Sequence, residues 1–190
     1  MHIFKRIICF ALLIHSVATY GQKQEQEFSI SEDEFPKAAI DYLQFLELDF
    51  KKVKWYKELQ NELVSFEAKI NHEGHLYSIE FDSLGRLEDI EKLVSFKKLP
   101  TETNRILNKS LTNKLGKYKI VKTQIQYSST DKMVKNLNDL SAKNSEVRYE
   151  IELFYRKDKS KKLVEYLLSG NGEIISFREV MIRSTENLTY

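Results

Sequence analysis

From residue 63 to residue 91 apolar and polar side chains alternate with little interruption. In "LVSFEAKI" Val64, Phe66, Ala68 and Ile70 alternate with Ser65, Glu67 and Lys69, and "LYSIEF" continues the alternation through Tyr77, Ile79 and Phe81. A period of two marks strands with one buried and one polar face. The turns "NHEG" and "DSLG" lie between and after them, with Gly74 and Gly85 able to take positive φ. "RLEDIEKLVSF" then leaves the second turn, so the stretch predicts an antiparallel meander. Ahead of it, "FPKAAIDYLQFLELDF" has a different rhythm. Ala39, Tyr42, Leu43, Leu46 and Phe50 recur at spacings of three and four behind Pro36, which suits a first helical turn. "VKWYKE" opens the strand series that follows.

At residue 99 the pattern restarts. "LPTETNRILNKSLTNKL" opens on Pro100, carries Ile106, Leu107, Leu111 and Leu115 as an apolar stripe, and meets Gly116 as a helix stop. "KYKIVKTQIQY" and "VRYEIELFY" read as strands. "LVEYLL", "SGNG" and "EIISF" then match "YSIEF", "DSLG" and "RLEDI", with Gly172 answering Gly85 and Leu168 answering Phe81. The expectation is an α+β fold, a tandem repeat of a helix packed on an antiparallel β-sheet. The first unit would span residues 35–98 and the second 99–182, with 183–190 as a C-terminal tail. Residues 128–145 have no counterpart in the first unit. Met133, Leu137 and Leu140 share a helical face there, which reads as a short helix in an insertion or an exposed loop. Residues 22–34, "QKQEQEFSISEDE", lack apolar periodicity and read as a flexible leader.

The first 21 residues belong to transport rather than to the fold. Lys5 and Arg6 precede the apolar run "IICFALLIHSV", which is of signal-peptide length and too short to span a bilayer as a stable helix. Small residues place cleavage after Ala18 or after Gly21. The protein is therefore expected in the periplasm or secreted, with no integral membrane segment in the mature chain. Cys9, the single cysteine, lies inside the apolar run, too early for a lipoprotein cleavage point, so the mature chain would have no disulfide. Loss of Lys5 and Arg6 leaves 28 basic residues against 28 acidic ones from the 30 and 28 of the full chain. A formal charge near zero argues against a nucleic-acid partner.

Candidate chemistry is sparse. His72 and His75, in "HEGH", are three apart in a turn rather than four apart on a helix, and lack evident further ligands, so a solvated turn is preferred to a metal site. Asp82, Glu88, Asp89 and Glu91 make the first hairpin acidic. Paired carboxylates can serve acid–base chemistry or bind Ca²⁺. Glu88 and Asp89 are adjacent and point oppositely, and "DSLGR" is too poor in ligands for a calcium loop; a turn aspartate and a wet strand face are expected. Neither metal nor cofactor is expected. No cysteine nucleophile survives cleavage, and no Gly-x-Ser-x-Gly elbow or phosphate loop is present. Lys51, Lys52, Lys54 and Lys57 around Trp55 and Tyr56 read as a solvated edge strand. Trp55, Tyr56, Tyr77 and Tyr127 are core by default, and any that face outward would anchor a partner.

Several local motifs occur together: the helix start from Phe35 to Ile40, Lys54-Trp55, Phe66-Glu67, the hairpin from Phe81 to Gly85, and Leu99-Pro100. "KYKIVK", "YEIEL" and "GNGEII" follow in the second half. Over about residues 33–182 the chain resembles the PepSY-like family, also described as beta-lactamase-inhibitor-like, whose members are small exported proteins of Bacteroidetes-type bacteria. The resemblance implies tandem helix-on-sheet units and a binding or inhibitory module that is not an enzyme. The 128–145 insertion is longer than the pattern, and Leu168-Ser169 replaces its aromatic-Asp turn entry, so Asp82 alone could supply that aspartate to a site. The expected function is non-catalytic binding by a monomer: recognition or inhibition of another envelope protein, with Trp55, Tyr56, Tyr77 and Asp82 as candidate contacts. A sensor or chaperone-like module for peptides or small ligands is the alternative, and a hydrolase is disfavoured.

Overall fold

The structure, a computed structural model, describes residues 25–46, 48–60, 62–128, 136–137, 140 and 146–180. The expected signal segment and C-terminal tail therefore lie outside the described residues, as does Met133. Among the described residues nine strands form one antiparallel sheet in sequence order: β1 Glu25–Ile30, β2 Lys54–Gln60, β3 Leu63–His72, β4 His75–Asp82, β5 Leu87–Leu93, β6 Tyr118–Ser128, β7 Glu146–Lys157, β8 Ser160–Ser169 and β9 Ile174–Glu179. Two helices, α1 Lys37–Phe45 and α2 Thr101–Leu115, interrupt the meander.

This arrangement corrects the expected α+β tandem of helix-on-sheet units. Asp89 to Leu93 of β5 pair with Ser128 to Gln124 of β6, so the sheet passes without a break from one half of the chain to the other. The two hairpins alike in sequence belong to one sheet-rich body. An unpaired β5 would expose a row of backbone donors and acceptors, and joining β6 satisfies them.

The expected leader is corrected as well. Residues 25–30 pair with β2 from Glu25–Gln60 to Ile30–Trp55. An edge strand over a partly covered sheet needs little apolar surface, and Ile30 supplies it by packing on the core while Phe28 stays exposed. The strand is polar enough to read as a tail.

One face of the sheet is apolar. Ala39 and Leu43 of α1 are fully buried against Ala68, Ile70, Ile79, Phe81 and Ile90. Phe35, just before the helix, stands edge-on to Trp55 at 4.8 Å, Phe66 at 5.5 Å and Phe81 at 5.8 Å, an arrangement aromatic quadrupoles favour. Leu107 and Leu111 of α2 do the same over Ile151, Leu153, Val164 and Leu168. Of the expected insertion, Leu137 and Leu140 are buried in the first of these clusters. Both helices open behind a proline at the N-cap, and α2 stops at Gly116, whose φ is 72°.

Candidate functional site

The other face of the sheet is polar yet largely dry. Cross-strand partners share a face, so the register traces it from strand to strand. Glu67 lies opposite Glu80, Glu80 opposite Asp89, and Glu91 opposite Gln126. Gln126 then faces Arg148, Gln124 faces Glu150, Glu152 faces Glu165, and Glu165 faces Arg178. A bulge helps compose the row. Phe81 pairs with Leu87 but Glu80 with Asp89, so Glu88 is the extra residue that returns Asp89 and Glu91 to the face of Glu80.

The sheet curls around this face. Leu63, Val64 and Ser65 of β3 and Leu167, Ser176 and Phe177 of β8–β9 line the same cavity of about 800 Å³, with Glu80, Glu91, Gln126 and Glu150 across its middle. Curvature therefore removes from water a face whose composition suggests solvent. Glu67 is 4 %, Glu91 3 % and Glu165 8 % exposed. The expected wet strand face at Asp89 and Glu91 is thus a groove floor.

Burying carboxylates beside one another disfavours their charged form. Burial is the leading cause that raises Asp89 to about 7, with Glu88 and Glu67 adding to it and Arg148 opposing. Burial likewise leads in raising Glu91 to about 8, helped by Asp89, Glu67 and Glu165 against Lys122. Glu80 and Glu150 also stand well above the ordinary carboxylate range, first through burial and then through neighbouring carboxylates. Lys122 shows the complementary effect. Burial pulls its ammonium down, but Glu150, Glu152, Glu91 and Glu165 outweigh that and hold it above its usual value.

Two sets of three carboxylates converge here: Glu27, Glu58 and Glu67, and Glu80, Asp89 and Glu91. The first set holds an internal cation. Lys69 Nζ is 2.8 Å from both Glu27 and Glu67, and lies 4.4 Å from the Tyr56 ring centroid. Among the described residues, no lysine or arginine forms such a pair with the second set. Lys122 is 3.5 Å from Glu152 and 3.9 Å from Glu150, and Arg148 is 2.7 Å from Glu146. At the far wall Arg178 donates to both oxygens of Glu165, at 2.5 and 2.9 Å.

The four sequence candidates separate. Trp55 and Tyr77 are 8 % and 3 % exposed and lie in the apolar core, not on an outer surface. Tyr56 is half-buried on the polar face, opposite Glu67. Asp82 lines the groove and organises the β4–β5 turn, accepting from the Leu84 and Arg86 amides at 2.9 Å and from Arg86 Nε at 2.6 Å. These bonds hold its carboxyl below its usual value although burial opposes them. His72 and His75 pair across the β3–β4 hairpin and do not line the groove. Sequence reasoning missed Glu80, Gln126, Glu150 and Glu165. The available signal was an acid or amide at the polar phase of every central strand.

No family profile and no curated protein matches the chain. Solved structures share its fold. A DUF2874 family protein from Bacteroides ovatus superposes with a TM-score of 0.51 at 10% identity, over 77% of this chain and 89% of that one. A protein from Bacteroides eggerthii, provisionally described as periplasmic, gives 0.52 at 9% identity, over 76% and 88%. A BLIP-like protein from Bacteroides fragilis is a looser likeness, at 0.46 and 14% identity over 80% and 92%. At such identities the likeness is one of fold alone, and none of these neighbours is described as PepSY-like.

Proposed function

We propose that this chain is an exported, non-catalytic binding protein that receives a basic segment of another envelope protein in the groove of its polar sheet face. The carrying observation is the groove itself: about 800 Å³, crossed by Glu80, Glu91 and Glu150 and edged by Leu63 on one side and by Leu167, which lies opposite Glu150, on the other. A carboxylate floor with apolar edges complements a lysine or arginine flanked by apolar residues. Export rests on the basic n-region and short apolar run of the first 21 residues. No helix among the described residues is long and apolar enough to cross a membrane. Tyr56 and Asp82 are the sequence candidates that remain available as contacts on this side; Trp55 and Tyr77 support the sheet from behind. A peptide-binding sensor or chaperone would use the same groove.

The test is affinity capture from an envelope fraction with the mature protein, repeated with Leu63→Ala and with Glu150→Lys. Capture of one partner that weakens at least roughly tenfold in both variants, and weakens with rising salt, is expected. Partner binding indifferent to both substitutions would sink the groove as the recognition surface.

A further inference from the structure

We propose that Glu80, Asp89 and Glu91, with the side-chain oxygen of Gln126, form a binding site for a hard divalent cation, Ca²⁺ before Mg²⁺, in the floor of the groove. The three carboxylates each offer one oxygen, and these lie within 4.8 Å of one another. Two oxygens bound to a single Ca²⁺ at its usual ligand distances can be no more than about 5.2 Å apart, so the span suits one ion. Every donor is oxygen, which selects a hard cation over zinc or copper.

Gln126 supplies an observation separate from the acidic cluster. It is only 8 % exposed, and its Nε2 donates to Glu91 Oε1 at 3.3 Å, which aims the amide into the cluster. Its Oε1 is buried and has no hydrogen-bond partner. A buried acceptor left unpaired is the exception in folded proteins and calls for a ligand. Asp89 Oδ1 is buried and unpartnered in the same way. Gln126 meets the cluster through Nε2, and a half-turn of its amide would bring the unpartnered oxygen there as a neutral fourth donor beside the three anionic ones, a set that Ca²⁺ accepts without strict geometry whereas Mg²⁺ demands a near-ideal octahedron.

The neighbouring carboxylates supply the contrast. Glu27 and Glu67 are joined by Lys69 at 2.8 Å, so that set carries its own cation. The cations nearest the second set are engaged elsewhere, Lys122 by Glu150 and Glu152 and Arg148 by Glu146. Same face, same acid count, but among the described residues no lysine or arginine stands at ion-pair distance from the second set; Arg148 and Lys122 act on Asp89 and Glu91 only from further off. The sequence reading dismissed calcium because "DSLGR" is a poor loop; the site uses strand residues brought into line by the Glu88 bulge.

Binding of the ion does not depend on a protein partner, so the test uses the exported chain alone. After treatment with a chelator, CaCl₂ and MgCl₂ are titrated by calorimetry at about pH 7.5, up to about 5 mM, the range of weak extracellular calcium modules. The expected result is one saturable Ca²⁺ site per chain, at least roughly tenfold tighter than Mg²⁺, with a rise in thermal midpoint. Asp89→Asn and Glu91→Gln should each weaken Ca²⁺ binding roughly tenfold or more. Both relieve carboxylate repulsion, so their melting in chelator should be unchanged or higher, which separates loss of the site from loss of the fold. Glu27→Gln should leave the Ca²⁺ response intact. No Ca²⁺ heat and no thermal shift at about 5 mM would overturn the site and leave a proton-sharing cluster. A response equal in wild type and in both trio variants would overturn it too. Partner capture that persists in chelator would show that the groove reading survives failure of the ion site.

Discussion

At the residue scale, glycines report how closely each helix sits on the sheet. Gly85 has φ of 78°, and a Cβ there would lie 2.9 Å from the Ala39 backbone nitrogen and 2.9 Å from Pro36 Cβ. Gly74 has the same φ, with nothing within 4 Å of its added Cβ. Gly74→Ala should therefore cost only the left-handed backbone penalty, about 1–2 kcal/mol. Gly85→Ala adds a clash that no side-chain rotation relieves and should cost about 2–5 kcal/mol in all. Urea midpoints of the two variants decide it, and equal losses would mean that α1 does not press on this turn. The same scale shows what a residue type cannot reveal. Trp55 and Tyr56 are adjacent and must face opposite sides, but "VKWYKE" does not say which is inside; the pairing of Trp55 with Ala68 does. Tyr77 was more legible, because it shares the phase of Ile79 and Phe81, and it is buried with them.

At the element scale, both helices, the β3–β4 hairpin and strands β7 and β8 follow from period alone, since each carries a continuous apolar phase, whereas a bulge shifts the phase within the pairings of β5 and β6. β1 does not, because "EQEFSI" has few apolar side chains and its order depends on a partner some 30 residues away in sequence. Sequence symmetry between two hairpins likewise could not reveal that β5 would join β6. The status of β1 can be checked by comparing the chain starting at residue 22 with one starting at residue 31. A mobile leader would be removed without consequence. Removal of β1 should instead lower stability by about 1–3 kcal/mol, by uncovering the β2 edge and the core beneath Ile30. It also takes away Glu27, one of the two carboxylates on Lys69. Identical denaturation curves for the two chains would return residues 25–30 to the status of a tail.

At the scale of the whole molecule, the formal charge near zero expected for the mature chain conceals a strong separation of character. The helices cover the apolar face, and the sheet closes its acidic face upon itself. Why this face was illegible is physical: alternation tells which residues share a side, and curvature decides whether that side is wet. The cost of that curvature should appear in the pH dependence of stability. Glu91 is faced by Asp89 on its own strand, by Glu67 of β3, by Lys122 of β6 and by Glu165 of β8. Asp89 is faced by Glu88, Glu67 and Arg148. Folded values of about 8 for Glu91 and about 7 for Asp89 lie above the ordinary values of 4.5 and 3.8 that stand for the unfolded chain. For a group raised in this way the stabilising contribution is complete below the unfolded value and is lost as pH rises through the folded one, because the native state holds the proton longer. In chelator, unfolding free energy should therefore fall between about pH 5 and pH 9, by about 2–4 kcal/mol, less than the sum of two separate groups since the two titrate together. Asp89→Asn and Glu91→Gln combined should flatten the curve. Denaturant titrations at a series of pH values measure it directly. Stability that stays level or climbs over that interval would mean that water reaches these carboxylates and that the groove is open, with no dry floor.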